Sequence, residues 1–302
     1  MTRFMTKKTL TFFTAVFFSF TALFTGCSKT SAKNNATSGK TQIMASFYPL
    51  YIMLMNITQG ADVELSMLAP ADTGCLHDYQ LTTGDMKNLE KADILVLNGA
   101  GMEDFAEKAL EIKKKEQVII ASEGYPLFED NPHIWVSLEG AEFQVNKIAL
   151  GLADMDKANA DLYMKNAEAY TNKIQTLREE MKNKLAPYAG KKIITFHEAF
   201  PYFAQEFNLE IAGVIEREPG TEPTALELKE LISLIKEEQS INSQIYLFAE
   251  EQYSSSAGEI IASETGLKVY ELDPEVSGEI SGDAYLDGMK KNLQILEEAF
   301  AN

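Results

Sequence analysis

Residues 156–188 read "DKANADLYMKNAEAYTNKIQTLREEMKNKLAPY". They contain no Gly, and their single Pro, Pro187, stands near the end. Apolar residues recur at Tyr163, Ala167, Tyr170, Ile174, Leu177, Met181 and Leu185, at spacings of 4, 3, 4, 3, 4 and 4. Steps of three and four return to one face of a helix with 3.6 residues per turn. Asp156 is read as the N-cap, and Gly190 closes the segment. About 31 residues at ~1.5 Å each make a rod of about 46 Å. That is too long for one small domain and long enough to bridge two.

On both sides of this segment, strand-like and helix-like runs alternate. Before it, Ile43–Phe47 and Val63–Leu68 read as strands and Tyr51–Ile57 as a helix. "DILVLN" (93–98) and "QVIIAS" (117–122) are continuous apolar runs between turn residues, as expected of strands buried on both faces. After it, Ile193–His197, Glu210–Ile215, Gln244–Ala249 and Lys268–Leu272 read as strands. Ala225–Glu238, Ser254–Thr265 and Ala284–Phe300 read as helices. Alternation of this kind predicts an α/β fold of two lobes, each a mainly parallel sheet flanked by helices. The lobes are expected at 42–155 and 189–302, joined by a connecting helix at 156–188. Open parallel sheets bind ligands at the carboxyl ends of their strands. His197 and Asp273 both fall at such ends, which directs them to the region where the lobes meet.

The N-terminus reads differently. Arg3, Lys7 and Lys8 precede a 15-residue apolar run, Leu10 to Phe24. As a helix that run reaches about 22 Å, short of a hydrocarbon core of ~30 Å, so it reads as an export signal. "LFTGC" follows at 23–27, and small residues before a Cys resemble the bacterial lipoprotein signal. That resemblance makes residues 1–26 a signal peptide and Cys27 the lipidated first residue. Residues 27–41 are polar and lack acids, a flexible tether. Removing 1–26 takes three bases and no acid, so the net charge moves from −18 to −21. Such a charge argues against nucleic acid and against an anionic membrane face as partners. Apart from Cys27 only Cys75 remains, so no internal disulfide is available.

The three histidines stand in "TGCLHDYQL" (His77), "DNPHIWVS" (His133) and "TFHEAFPYF" (His197). Each sits beside loop-forming or strand-ending residues. The residues alone leave three readings of His197 open: a satisfied core histidine, a catalytic partner of Glu198, or a metal ligand. Three imidazoles and a carboxylate suit zinc, but the short spaced motif H-E-x-x-H is absent. "NGAG" (98–101) lacks a third Gly at dinucleotide-binding spacing and reads as a turn.

From about residue 41 to its end the chain resembles the zinc/manganese solute-binding proteins of ABC importers. "HDYQ" resembles their first-ligand loop. "NPHIWVS" followed by "ADLYMKNAEAY" resembles the second-ligand loop and connecting helix. "TFHEAFPYFAQEFNL" resembles the third-ligand strand end. "LFAEEQYS", "YELDPE" and "YLDGMKKNLQIL" resemble the closing segments. The resemblance implies metal ligands His77, His133, His197 and Asp273 at the lobe interface. Glu250 falls where the family has an acid near the site, and two roles stay open for it: orienting a histidine, or a plain surface acid. Cys75 lies near the first ligand, where a thiolate would suit zinc and a small buried residue would shape the loop. Leu76 stands where members often carry Pro, and no His-rich loop precedes His133. A carboxylate at the third position marks manganese-preferring members, so His197 favours Zn2+, with Mn2+ as the alternative.

The implied function is an extracytoplasmic, lipid-anchored monomer that captures zinc for an ABC permease and is not an enzyme. A zinc hydrolase, with Glu198 or Glu250 as general base, is the competing class, and a surface-adhesion role is a third.

Overall fold

The computed structural model describes residues 39–73, 76, 79–215, 223–250 and 256–301. The export signal, Cys27, the tether up to residue 38, Cys75 and His77 lie outside them. The first half runs β1 Thr41–Ala45, α1 Tyr48–Ile57, β2 Val63–Met67, α2 Thr83–Lys91, β3 Ile94–Leu97, α3 Glu107–Leu110, β4 Val118–Ile120 and α4 Leu138–Met155. The long helix is α5 Ala160–Leu185. The second half runs β5 Lys192–Thr195, α6 Pro201–Glu206, β6 Glu210–Val214, α7 Ala225–Ser240, β7 Ile245–Ala249, α8 Ser256–Thr265, β8 Val269–Glu271 and α9 Ala284–Ala301.

The two sheets have the same plan. Strand order is β2-β1-β3-β4 in one and β6-β5-β7-β8 in the other, and the described pairings are parallel. In each, the chain leaves the first strand to one side and returns on the other, so a switch point lies between β1 and β3 and again between β5 and β7. Crevices at such points, outside the strand carboxyl ends, are where open α/β sheets hold ligands. β3 is buried along its whole length, as its unbroken apolar run requires, and so is β7.

The seven predicted apolar positions of α5, from Tyr163 to Leu185, are all buried. Burial of Ile174, Leu177, Met181 and Leu185 contributes roughly 1.5–3 kcal/mol each. The helix starts four residues later than its pattern predicts. Asp156 is not its N-cap: it ends α4, with φ −119° and ψ 81°, and its carboxylate accepts from Asn159 Nδ2 (2.8 Å) and Tyr163 Oη (2.7 Å). Those bonds fold residues 156–159 into a tight link, and the 26-residue helix spans about 39 Å. Helices α2 and α4 fall where the alternating runs predicted none. Ser137 caps α4, its Oγ accepting from Gly140 N. One apolar cluster runs through both halves, from Ile43 and Leu54 across Val145 and Ile174 to Phe203, Phe248 and Leu293.

"NGAG" is a turn, as read. Gly99, Ala100 and Gly101 have φ of +80°, +54° and +84°. A side chain at Gly99 would also collide with Ile120 and Ser122.

Candidate metal centre

His197 stands two residues past β5. The strand stops at Thr195, earlier than its apolar run suggests, where Thr195 Oγ1 donates to the carbonyl of His197 (3.1 Å) and turns the chain. Glu250 is the first residue after β7, the neighbour of β5. The switch point therefore places the two side by side. Both Glu250 oxygens lie 2.8 Å from His197 Nδ1, and Oε1 also accepts from His197 N (3.4 Å). Glu250 is 2% exposed, which rules out a plain surface acid. A carboxylate facing Nδ1 keeps the proton on that nitrogen and leaves Nε2 with its lone pair.

His133 opens the single turn Ile134–Val136 that leads into α4, and it is buried. Its backbone N donates to Asn131 Oδ1 (3.0 Å), and its Nδ1 lies 3.0 Å from the same oxygen. An atom that accepts from a backbone N–H is the amide oxygen, so His133 Nδ1 must carry a proton to meet it. Here too the lone pair is on Nε2.

The two lone-pair nitrogens converge. His133 Nε2 and His197 Nε2 are 3.3 Å apart, with the rings at 75°. Two nitrogens each ~2.05 Å from a tetrahedral zinc stand ~3.3 Å apart. Neutral imidazoles with their lone pairs face to face repel one another, so this arrangement suits a cation between them.

Asp273 stands two residues past β8. Its backbone is clamped by α9: Asp273 N donates to Asn292 Oδ1 (2.9 Å) and Asn292 Nδ2 donates to Asp273 O (2.7 Å). Its carboxylate accepts from Glu275 N (2.7 Å). The buried indole of Trp135 ties this loop to that of His133, donating to Pro274 O (2.9 Å). Trp135 thus packs between the halves. Asp273 does not complete a three-residue set with the histidines among the described residues. His77 and Cys75 lie outside those residues, and Glu198, beside the buried His197, is exposed.

Several supporting residues were not singled out from the sequence. Asn131 is one. Glu103 is another: fully buried, it accepts from Ser46 Oγ (2.7 Å), Asn98 N (2.7 Å) and Gly99 N (3.0 Å), and burial raises its carboxyl above the ordinary range. Asn98 in turn donates through Nδ2 to Pro132 O (3.0 Å), next to His133. Glu206 is a third. Buried at the end of α6, it accepts from Leu138 N (2.8 Å) at the start of α4 and pairs with Arg178 of α5. Glu275 is buried against α9, where a Cβ on Gly288 would collide with its carboxylate, and burial pushes it well up. Only "NPH", three loop residues with the histidine last, offered a signal for any of them.

Comparison with known proteins assigns the chain to a family. The family described as zinc-uptake complex component A, periplasmic, matches residues 43–299. The high-affinity zinc uptake system protein ZnuA of Bacillus subtilis (strain 168) is 28% identical over 305 residues, covering 92% of this chain and 93% of that protein. The manganese ABC transporter substrate-binding lipoprotein PsaA of Streptococcus mitis is 26% identical over 293 residues, covering 90% and 93%. The solved structure of the substrate-binding protein FpvC from Pseudomonas aeruginosa in complex with Mn2+ superposes with a TM-score of 0.77 at 32% identity, covering 86% of this chain and 98% of that one. With its two parallel sheets, its long helix and its converging histidines, the chain belongs to the zinc-uptake complex component A family of metal-binding proteins.

Proposed function

We propose that the protein captures Zn2+ outside the cytoplasmic membrane and hands it to the permease of an ABC importer. The observation that carries this reading is the 3.3 Å separation of His133 Nε2 and His197 Nε2, both held as lone-pair donors. His133 and His197 supply half the coordination shell; His77 and Asp273 complete it. Three nitrogens and one oxygen suit zinc better than manganese, which prefers harder oxygen ligands. Manganese is the second reading, favoured by the manganese-named relative and the Mn2+-bound neighbour.

Four protein ligands leave no open position for a substrate water, so the metal is cargo and not a catalyst. Lobes at 42–155 and 189–302, held by the segment 156–188, share one core, which limits their relative movement. Metal enters and leaves through shifts of the ligand loops rather than wide hinge opening. Cys27 carries the lipid anchor. Only neutral imidazole ligates, so affinity falls as pH approaches ~6. Calorimetric titration of dialysed protein with zinc tests the assignment. One site per chain is expected, lost in His197→Ala; unchanged affinity in that variant overturns it.

A further inference from the structure

Asn131 uses its whole amide. Oδ1 takes both the backbone N and Nδ1 of His133, at 3.0 Å each. Nδ2 donates to the carbonyl of Glu198 at 2.7 Å, one residue past His197. A carbonyl only accepts and a backbone N–H only donates, so these partners permit a single orientation of the amide. The Asn131 carbonyl is held as well: Tyr202 Oη of α6 donates to it (2.7 Å) and accepts from Phe128 N (2.9 Å). One buried side chain thus joins the loop that carries His133 to the loop that carries His197.

We propose that Asn131 is a positioning residue that locks the His133 tautomer and bridges the two ligand loops, so that zinc leaves only when the bridge opens. The inference rests on zinc as the cargo of His133 and His197. A bridge of this kind acts mainly on release. An incoming ion meets two nitrogens already at binding distance, while an outgoing ion must wait for the loops to part. Outer partners of metal-bound imidazoles typically change affinity 10–100-fold when removed.

Two variants separate the two tasks. Asn131→Ala removes both. Asn131→Asp keeps an acceptor for His133 but replaces the donor to Glu198 with an oxygen, so it locks the ring and breaks the bridge. The measurements are zinc affinity by competition with a chromogenic chelator, zinc release by stopped flow into excess chelator, and imidazole 15N shifts of metal-free protein. Asn131→Ala is expected to lose 10–100-fold in affinity and to show His133 as a mixture of tautomers. Asn131→Asp is expected to keep the Nδ1–H tautomer yet release zinc about tenfold faster than the unmodified protein. Release from Asn131→Asp at the unmodified rate overturns the bridge, even should Asn131→Ala fail to fold. Affinity in folded Asn131→Ala within twofold of the unmodified protein overturns the positioning role. Absence of zinc binding by the unmodified protein is a different result, and it refutes the zinc assignment itself.

Discussion

The two sheets share one strand order, so their switch points can be compared residue by residue. The first residue after the third strand is Asn98 in one sheet and Glu250 in the other. At the first switch point the buried acid is Glu103, and its partners are a hydroxyl and two backbone N–H groups, all fixed parts of the fold. At the second the buried acid is Glu250, and its main partner is an imidazole whose far nitrogen faces the other histidine. The first arrangement closes on itself. It reaches the centre through Asn98 Nδ2 and the Pro132 carbonyl. The second leads through His197 to the other histidine. The same topological slot can therefore be structural or functional, and what differs is whether the acid's partner has a second valence to offer.

That contrast predicts opposite signatures for the two acids. Glu103→Ala strands a hydroxyl and two backbone N–H groups, at ~1–3 kcal/mol each, so it should cost at least about 3 kcal/mol of stability. The melting temperature of metal-free protein should fall by roughly 10 °C, with zinc affinity lowered less than about tenfold. Glu250→Gln keeps the volume but takes the charge from behind His197. It should lower zinc affinity about 10–100-fold, equivalent to ~1.4–2.7 kcal/mol, and leave the metal-free melting temperature within about 2 °C. Thermal scans and chelator competition on both variants decide the matter. Equal patterns in the two would erase the distinction.

A smaller effect concerns pH. Burial raises the Glu103 carboxyl above the 4.5 it has unfolded. The folded state then binds more protons than the unfolded state between those two values. The stabilisation is full below about 4.5 and is lost as pH rises through the folded value. Metal-free protein should therefore lose melting temperature as pH rises above about 4.5, with Glu275, whose carboxyl burial also raises, adding to the same trend. Glu103→Gln should flatten this slope, and a slope unchanged in that variant would assign it to other groups.

Much of the fold was legible because it rests on periodicity. The seven apolar positions of α5 are a one-face pattern that tertiary packing had no reason to override, and all seven are buried. Its start was misread because Asp156 is equally suited to cap a helix or to anchor a link. Only the positions of Asn159 and Tyr163 in space choose between these. His197 and Glu250 lie 53 residues apart, and only the adjacency of β5 and β7 brings them together. Sequence could place each at a strand end, but it could not tell Glu250 the orienting residue from Glu250 the surface acid. Asn131 and Glu103 were harder to see. "NPH" hints at the bond from Asn131 to His133, but its bond to Glu198 and that of Glu103 to Ser46 join residues 67 and 57 apart, and a single chain carries no pattern for those.

The central claim is that His133 and His197 present their Nε2 lone pairs to one zinc ion. X-ray absorption at the zinc edge of protein loaded with one equivalent tests it directly. The account predicts about four nitrogen or oxygen neighbours at ~2.0–2.1 Å, with outer-shell scattering from three imidazoles that falls to two in His197→Ala. A spectrum without imidazole scattering, or one that His197→Ala leaves unchanged, would contradict it.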